Sequence, residues 1–497
     1  MTTPPDEHPP AGHVHPTLDD PGIARVSEVV GGPVGDHAGR HPWWTPARVV
    51  LVLAALCFSL GMVQKSSCYE ANWTNGDSRY THMCYSDLPY LYTGRGFAEL
   101  NWPYTSDPQV RDRYPAMEYP VVISYWAYGT AWVTHWISGS PDLRERYLMQ
   151  PDELFGDAQV SQEVRRYVVV NALGLAALAL LSAWLLTRVN PRRPWDAVFF
   201  AASPMLALTA LVNWDMLAVA LTAGALVAWR RGSPVATGIL IGLGTATKLY
   251  PLFLLGGILV IALHRRRLSD LALFGKAAAG AMSAWVFANM LAYFTDLQSW
   301  QVFWQFNKDR AADLGSVWLM VQQATGHQWT ADTINNVSWL FMAVWCLGVL
   351  VIGLRAPETP RLAQLGFLIV TGFLLVNKVY SPQYVLWLLP LAVLARPRLR
   401  DQVIWQATEL FYFASVWWYL GHELDPAGGG EPGSYWVAVT LRMLGELYLA
   451  GMIVRDILRP QHDLVDRTVE WPESDDDLDT GDEAPPADDE RELAAAR

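Results

Sequence analysis

The stretch NWDMLAVALTAGALVAWRRGSPVATGILIGLGTATKLYPLFLLGGILVIALHRRR, residues 213–267, decides the fold. It contains three apolar runs, 214–229, 233–248 and 250–264, with Arg230 and Arg231 after the first and Arg265, Arg266 and Arg267 after the third. Each run is close to what a helix needs to cross a hydrocarbon core of about 30 Å. Outward from this stretch the pattern repeats, with further runs at 46–63, 166–188, 195–212, 271–294, 337–354, 362–377, 383–396, 403–421 and 435–454. Across the 497 residues, 52% are hydrophobic and 17% charged, against about a quarter charged in soluble domains. The 24 Trp and 20 Tyr suit helix ends at the headgroup level. The chain reads as an all-α integral membrane protein with about 12 transmembrane helices.

Arginine sets the orientation. There are 31 Arg and five Lys, and arginines follow every second run: Arg188, Arg192 and Arg193; Arg230 and Arg231; Arg265 to Arg267; Arg355 and Arg361; Arg396, Arg398 and Arg400; Arg455 and Arg459. Short basic loops stay in the cytoplasm, which places both chain ends inside. The apolar segment Tyr119–Ile137 would reverse every later cluster if it crossed. It is therefore expected to lie on the outer surface as an aromatic-rich helix, inside a long first extracytoplasmic loop, 64–165. A second outer loop spans 295–336.

Residues 1–45 and 456–497 are expected to be disordered cytoplasmic tails flanking a transmembrane domain, 46–455. From Pro460 onward, 14 acidic residues face three arginines and supply most of the net charge of −12. His13 and His15 sit in a His/Pro-rich tail that reads as solvated. Because a polar tail precedes the first run, that run does not read as a cleaved signal peptide. Cys57 and Cys346 lie in apolar runs as packing residues. Cys68 and Cys84, 16 apart in the first outer loop, are disulfide candidates in an oxidising exterior. No P-loop, dinucleotide glycine pattern or zinc spacing occurs, so no cofactor, metal or nucleic-acid partner is expected. Asn72-Trp-Thr74 and Asn336-Val-Ser338 match the glycosylation sequon at a frequency chance would give.

The informative polar residues gather at the outer boundary. Lys65, Lys248, Lys308 and Lys378 stand there against the orientation rule, and an ammonium at the membrane surface either snorkels to water or meets an anion such as a lipid phosphate. Asp87, Glu118 and Asp215 occupy the same level. Asp215 can serve simply as a helix N-terminal carboxylate, whereas Asp87, set among aromatics, is the type of group that acts as a general base. Asn307, Lys308 and Arg310 follow an amphipathic stretch and offer donors for phosphate or sugar hydroxyls.

Six short stretches, Tyr85-Ser-Asp-Leu-Pro, Glu118-Tyr-Pro, Asn213-Trp-Asp, Ala246-Thr-Lys-Leu-Tyr-Pro, Phe306-Asn-Lys-Asp-Arg and Asn377-Lys-Val-Tyr-Ser-Pro-Gln-Tyr, together resemble the GT-C class of membrane glycosyltransferases. Within that class the chain is similar to glycosyltransferase family 87, the polyprenyl-phosphate-mannose-dependent enzymes of actinobacterial type. The resemblance implies a cell-membrane enzyme with its site on the extracytoplasmic side. It would move one sugar, mannose by family preference, from a polyprenyl-phosphate donor to a hydroxyl of a glycolipid, polysaccharide or protein acceptor, with inversion. Asp87 would be the general base. Lys248, Lys378 and Arg310 would meet the donor phosphate, and Glu118, Asn213, Asp215, Asn307 and Gln383 the sugar or acceptor. The alternative is a secondary transporter of a small solute or lipid-linked glycan, although no repeat of two halves is visible.

Overall fold

The computed structural model describes residues 43–465, and no strand occurs among them. A long connection follows α1 (Pro46–Gln64) and carries α2 (Asp87–Gly94) and α3 (Val121–Ile137) before α4 (Ala158–Val189) begins. A short helix α5 (Pro204–Thr209) leads to α6 (Met216–Arg230), α7 (Pro234–Thr245), α8 (Phe253–Arg265) and α9 (Leu268–Thr295). Two helices, α10 (Leu297–Asp309) and α11 (Val317–Thr325), fill a second long connection. Then come α12 (Ala331–Arg355), α13 (Leu362–Val376), α14 (Val385–Ala395), α15 (Leu399–Leu420) and α16 (Gly433–Leu458).

Five of these, α1, α4, α9, α12 and α16, are long and apolar enough to cross a membrane, and five of the shorter apolar helices lie between α6 and α14. Their outer faces suit lipid. Phe287 and Phe294 on α9 and Trp339 on α12 are each about three-quarters exposed, a pattern expected where hydrocarbon takes the place of water.

One expected span departs from the sequence reading. The run 195–212 is broken: a 3-10 turn and a four-residue helix end at Ala201, and Ser203 caps α5 by accepting the Met205 amide, with Pro204 in the first turn. Hydropathy alone reads through this point, but a Ser–Pro pair starts a new helix. Helix α16 runs to Leu458, and the segment beyond it packs back, with Asp463 held by Arg361 at 2.9 Å and Arg193 bonded to the Leu464 carbonyl. Arg361 and Arg396, read as loop cations, are buried, and Arg396 pairs with Asp401 at 2.7 Å. Buried charges in such a setting need partners. The tail expected over 1–45, with His13 and His15, lies almost wholly outside the described residues, as does the acidic tail past Val465.

Helices α7 and α9 approach most closely. A Cβ at Gly238 or Gly242 would stand 2.0 and 2.1 Å from the Ala277 and Ala281 carbonyl oxygens, respectively. Small residues at this spacing let helix backbones meet where no hydrophobic driving force separates helix from lipid. This contact fixes the C-terminal end of α7, just before Lys248. Gly242→Leu is expected to cost at least ~1–3 kcal/mol and to lower the thermal midpoint of detergent-solubilised protein. Gly275→Leu, with nothing within 4 Å of its Cβ, should leave it unchanged.

Candidate active site

Asp87 is fastened from three directions before its side chain does anything. At the end of α1, Lys65 is buried and its Nζ donates to the Met83 and Tyr85 carbonyls at 3.3 and 3.0 Å. Cys68 and Cys84 form a disulfide, S–S 2.02 Å, just before Tyr85. From the far side, the turn before α6 receives the Ser86 hydroxyl on the Leu211 carbonyl and the Asp87 amide on the Val212 carbonyl, both at 2.8 Å. Ser86 also caps α2 by accepting the Leu88 amide.

Asp87 is half-buried as a residue, and its carboxylate accepts the Tyr119 hydroxyl at 2.6 Å. Burial pushes its carboxyl above the usual carboxylate range; the Tyr119 and Tyr85 hydroxyls and the Lys248 charge act against this rise, and Glu118 adds to it. Burial likewise holds the Lys65 ammonium down to about 7, with the Asp87 charge pulling it back up.

Beside this group lies a buried ion pair. Lys248 Nζ stands 2.9 Å from Asp215 Oδ1, and the Trp387 indole donates to Asp215 Oδ2 at 3.0 Å. Asn213 Oδ1 accepts the Asp215 amide at 3.0 Å, shaping the turn. The Tyr119 ring lies 4.7 Å from the same ammonium. Trp387 is sandwiched between Tyr384 and Tyr250, at 4.0 and 5.1 Å. Four parts of the chain thus converge on Asp87: Tyr119 from the connection between α1 and α4, the Asn213–Asp215 turn, Lys248 after α7, and Tyr384 with Trp387 at the start of α14.

The other expected phosphate ligands are placed differently. Lys378 Nζ donates to the carbonyls of Asn307, Lys308 and Arg310 at 2.9, 2.8 and 2.9 Å. An ammonium has three protons, and here all three close the C-terminal end of α10. Backbone pairing continues the seam: the Asp313 amide meets the Lys378 carbonyl and the Tyr380 amide the Leu314 carbonyl, both at 2.8 Å. Arg310 is paired with Asp313 at 2.5 Å, yet its charge still acts on Tyr384. Glu118 is gripped by Arg95 through two nitrogens, at 3.0 and 2.7 Å. The Asn307 side chain is exposed and bonds its own helix, to the Phe303 carbonyl. Gln383 is buried with Oε1 accepting the Ser381 hydroxyl at 2.7 Å. Tyr119, Tyr384 and Trp387 were not singled out from the sequence; Tyr119 and Tyr384 stand inside two of the quoted motifs.

An aromatic cleft borders the site. Tyr119 and Pro120 form one wall, Thr245 and Ala246 at the end of α7 another, and Trp285, Trp300 and Trp304 the rest.

Residues 162–377 match the family model of glycosyltransferase family 87. The resemblance carried by the six motifs is thus met by a family match that takes in Asn213, Asp215, Lys248, Asn307 and Arg310. Asp87, Glu118, Lys378 and Gln383 lie outside the matched stretch. The family 87 match supports glycosyltransferase activity, and the all-helical fold with its apolar helices is consistent with the GT-C class and with a membrane protein. No curated protein matches the chain.

A base must be ionised to accept a proton, and burial raises the Asp87 carboxyl, so a reaction that uses Asp87 as its base should show an acid limb of kcat/KM above the ordinary carboxylate value of about 3.9. Tyr119→Phe removes a hydrogen bond that favours the charged form, so the limb should move further up. An unmoved limb would separate the Asp87–Tyr119 contact from the rate.

Proposed function

We propose that the protein transfers a single sugar, mannose by family preference, from a polyprenyl-phosphate donor to an acceptor hydroxyl on the extracytoplasmic face of the cell membrane, with inversion. The observation that carries this reading is one half-buried acid, Asp87, bonded to Tyr119 beside the Lys248–Asp215 pair, with an aromatic cleft opening along Tyr119.

The chemistry follows from these groups. The acceptor oxygen attacks the anomeric carbon as the bond from that carbon to the phosphate oxygen breaks. Asp87 takes the hydroxyl proton, and the bonding pair leaves with the lipid phosphate. The leaving phosphate gains negative charge, which a fixed cation in a water-poor site offsets. Lys248 suits this role: Asp215 takes one of its three protons, and two remain for phosphate oxygens. Arg310 adds a second positive charge near Tyr384. Lys378, with its protons on backbone carbonyls, is assigned a positioning role, holding Arg310 and the end of α10.

Asn213 and the Gln383 amide are the candidates for sugar hydroxyls, and Asp215 for keeping Lys248 charged and in place. The aromatic cleft suits the lipid chain. With Glu118 bound to Arg95, Asp87 is the carboxylate left to act, which fits a single displacement rather than a covalent intermediate. The acceptor is a glycolipid, polysaccharide or protein.

Membranes carrying wild type, Asp87→Asn or Lys248→Gln, given radiolabelled polyprenyl-phosphate mannose and an envelope extract, test this. Asp87→Asn should lower kcat by about 10²–10⁴-fold with little change in donor KM, while Lys248→Gln should raise donor KM and lower kcat. Wild-type rates in Asp87→Asn would remove Asp87 from the reaction.

A further inference from the structure

Three fully buried ionisable side chains take no part in the chemistry above. Glu409 lies midway along α15, and Arg442 and Glu446 stand one turn apart on α16, which packs against it. Such groups are costly inside a bundle of apolar helices and are tolerated where they pair and serve a purpose. Arg442 Nη1 donates to Glu446 Oε1 at 3.0 Å. Glu409 accepts the Trp405 indole at 3.1 Å and the Tyr380 hydroxyl at 3.0 Å, one on each oxygen.

The charges do not match: two carboxyls stand against one guanidinium. Glu446 Oε2 is buried with no donor to it, while the Glu409 carboxyl lies within hydrogen-bonding reach of Glu446. The Tyr380 hydroxyl is also near Glu446, but its one proton goes to Glu409. Two carboxylates side by side repel and have no proton to bond through, whereas a carboxyl and a carboxylate do. One added proton leaves the cluster with one charge of each sign and gives Glu446 Oε2 its missing bond.

What the cluster holds is the seam behind the site. The Arg442 guanidinium stands 3.7 Å from the Tyr380 ring centroid, and its Nη2 reaches the Gly315 carbonyl at 3.3 Å. Tyr435 accepts the Gly315 amide at 2.8 Å, and the Tyr412 hydroxyl donates to the Tyr380 carbonyl. Only glycine fits here: φ at 315 is +70°, and a Cβ would stand 2.0 Å from the Tyr412 hydroxyl oxygen. The turn 313–316 and the segment 378–381 therefore rest on one buried cluster. The first carries Asp313, the partner of Arg310, and the second carries Lys378, which closes the end of α10.

We propose that Glu409, Glu446 and Arg442 are positioning residues for the donor-phosphate half of the site: the two carboxyls share one proton, and the neutral cluster locks the two segments that hold Arg310 in place. The part given to Arg310 rests on the transferase reading above. Two measurements on the full chain in lipid nanodiscs keep the two apart, and neither needs turnover.

The first is infrared spectroscopy at neutral pH. Wild type should show the carbonyl stretch of a protonated carboxyl that is lost in Glu409→Gln and equally in Glu446→Gln, because each leaves a single carboxylate beside Arg442. A band that survives in both variants, or no band at all, would overturn the proposal. The second is affinity for polyprenyl phosphate. Each single glutamine supplies an amide proton in place of the shared one, so binding should stay within threefold of wild type. The double variant leaves Arg442 without a counter-charge and should bind tenfold or more weakly. Where it fails to fold, Tyr380→Phe, which gives up the bond to Glu409 but keeps the ring against Arg442, should weaken binding threefold or more. Undiminished binding in the folded double variant or in Tyr380→Phe would overturn the proposal, as would a tenfold loss in either single variant. Wild type that binds no polyprenyl phosphate would overturn the transferase reading, while the infrared band would still decide the shared proton.

Discussion

The buried pair between Lys248 and Asp215 is the constraint on which the candidate site depends. Removing either partner would leave a charge in a poorly solvated place, a loss of about 3–5 kcal/mol where such pairs are fully buried. The pair therefore fixes the turn at Asn213–Asp215 against the end of α7, and Trp387 brings α14 to the same carboxylate. The turn in turn holds Asp87, through carbonyls at Leu211 and Val212. One electrostatic requirement thus links the helix ends to the connection between α1 and α4 and brings an acid, a cation and aromatic rings to one place.

Much of the helix order was legible because hydropathy and arginine placement report directly on membrane spanning. The starts and ends of α6, α8, α13 and α14 fall within a few residues of the apolar runs read from the sequence. What escaped was local. The break at Ser203–Pro204 carries a clear capping signal, but apolar residues on both sides make the run 195–212 read as continuous. Arg361 and Arg396 look like cytoplasmic loop residues until Asp463 and Asp401 are seen beside them, and those partners lie 102 and five positions away.

The site was legible in residue identity more than in role. Asp87, Asp215 and Lys248 do gather together. Lys378 stands out in sequence as a lysine against the orientation rule, yet its partners are backbone carbonyls of the Asn307–Arg310 stretch, which no side-chain pattern announces. Tyr119 was hidden for the opposite reason: in a segment rich in aromatic residues, its contact with Asp87 is set by the turn at Glu118–Pro120 and not by composition. The disulfide and Lys65 share the task of holding Tyr85 and Asp87, so a cysteine pair and an inconvenient lysine turn out to support the same short segment.

The most direct measurement is a cryo-EM structure of the protein in a nanodisc with a non-hydrolysable phosphonate analogue of polyprenyl-phosphate mannose. The account predicts the lipid chain along the Trp285–Trp304 cleft, a phosphonate oxygen within hydrogen-bonding distance of Lys248, and the anomeric carbon facing Asp87. A headgroup bound away from Lys248, or on the side of the arginine clusters, would contradict it.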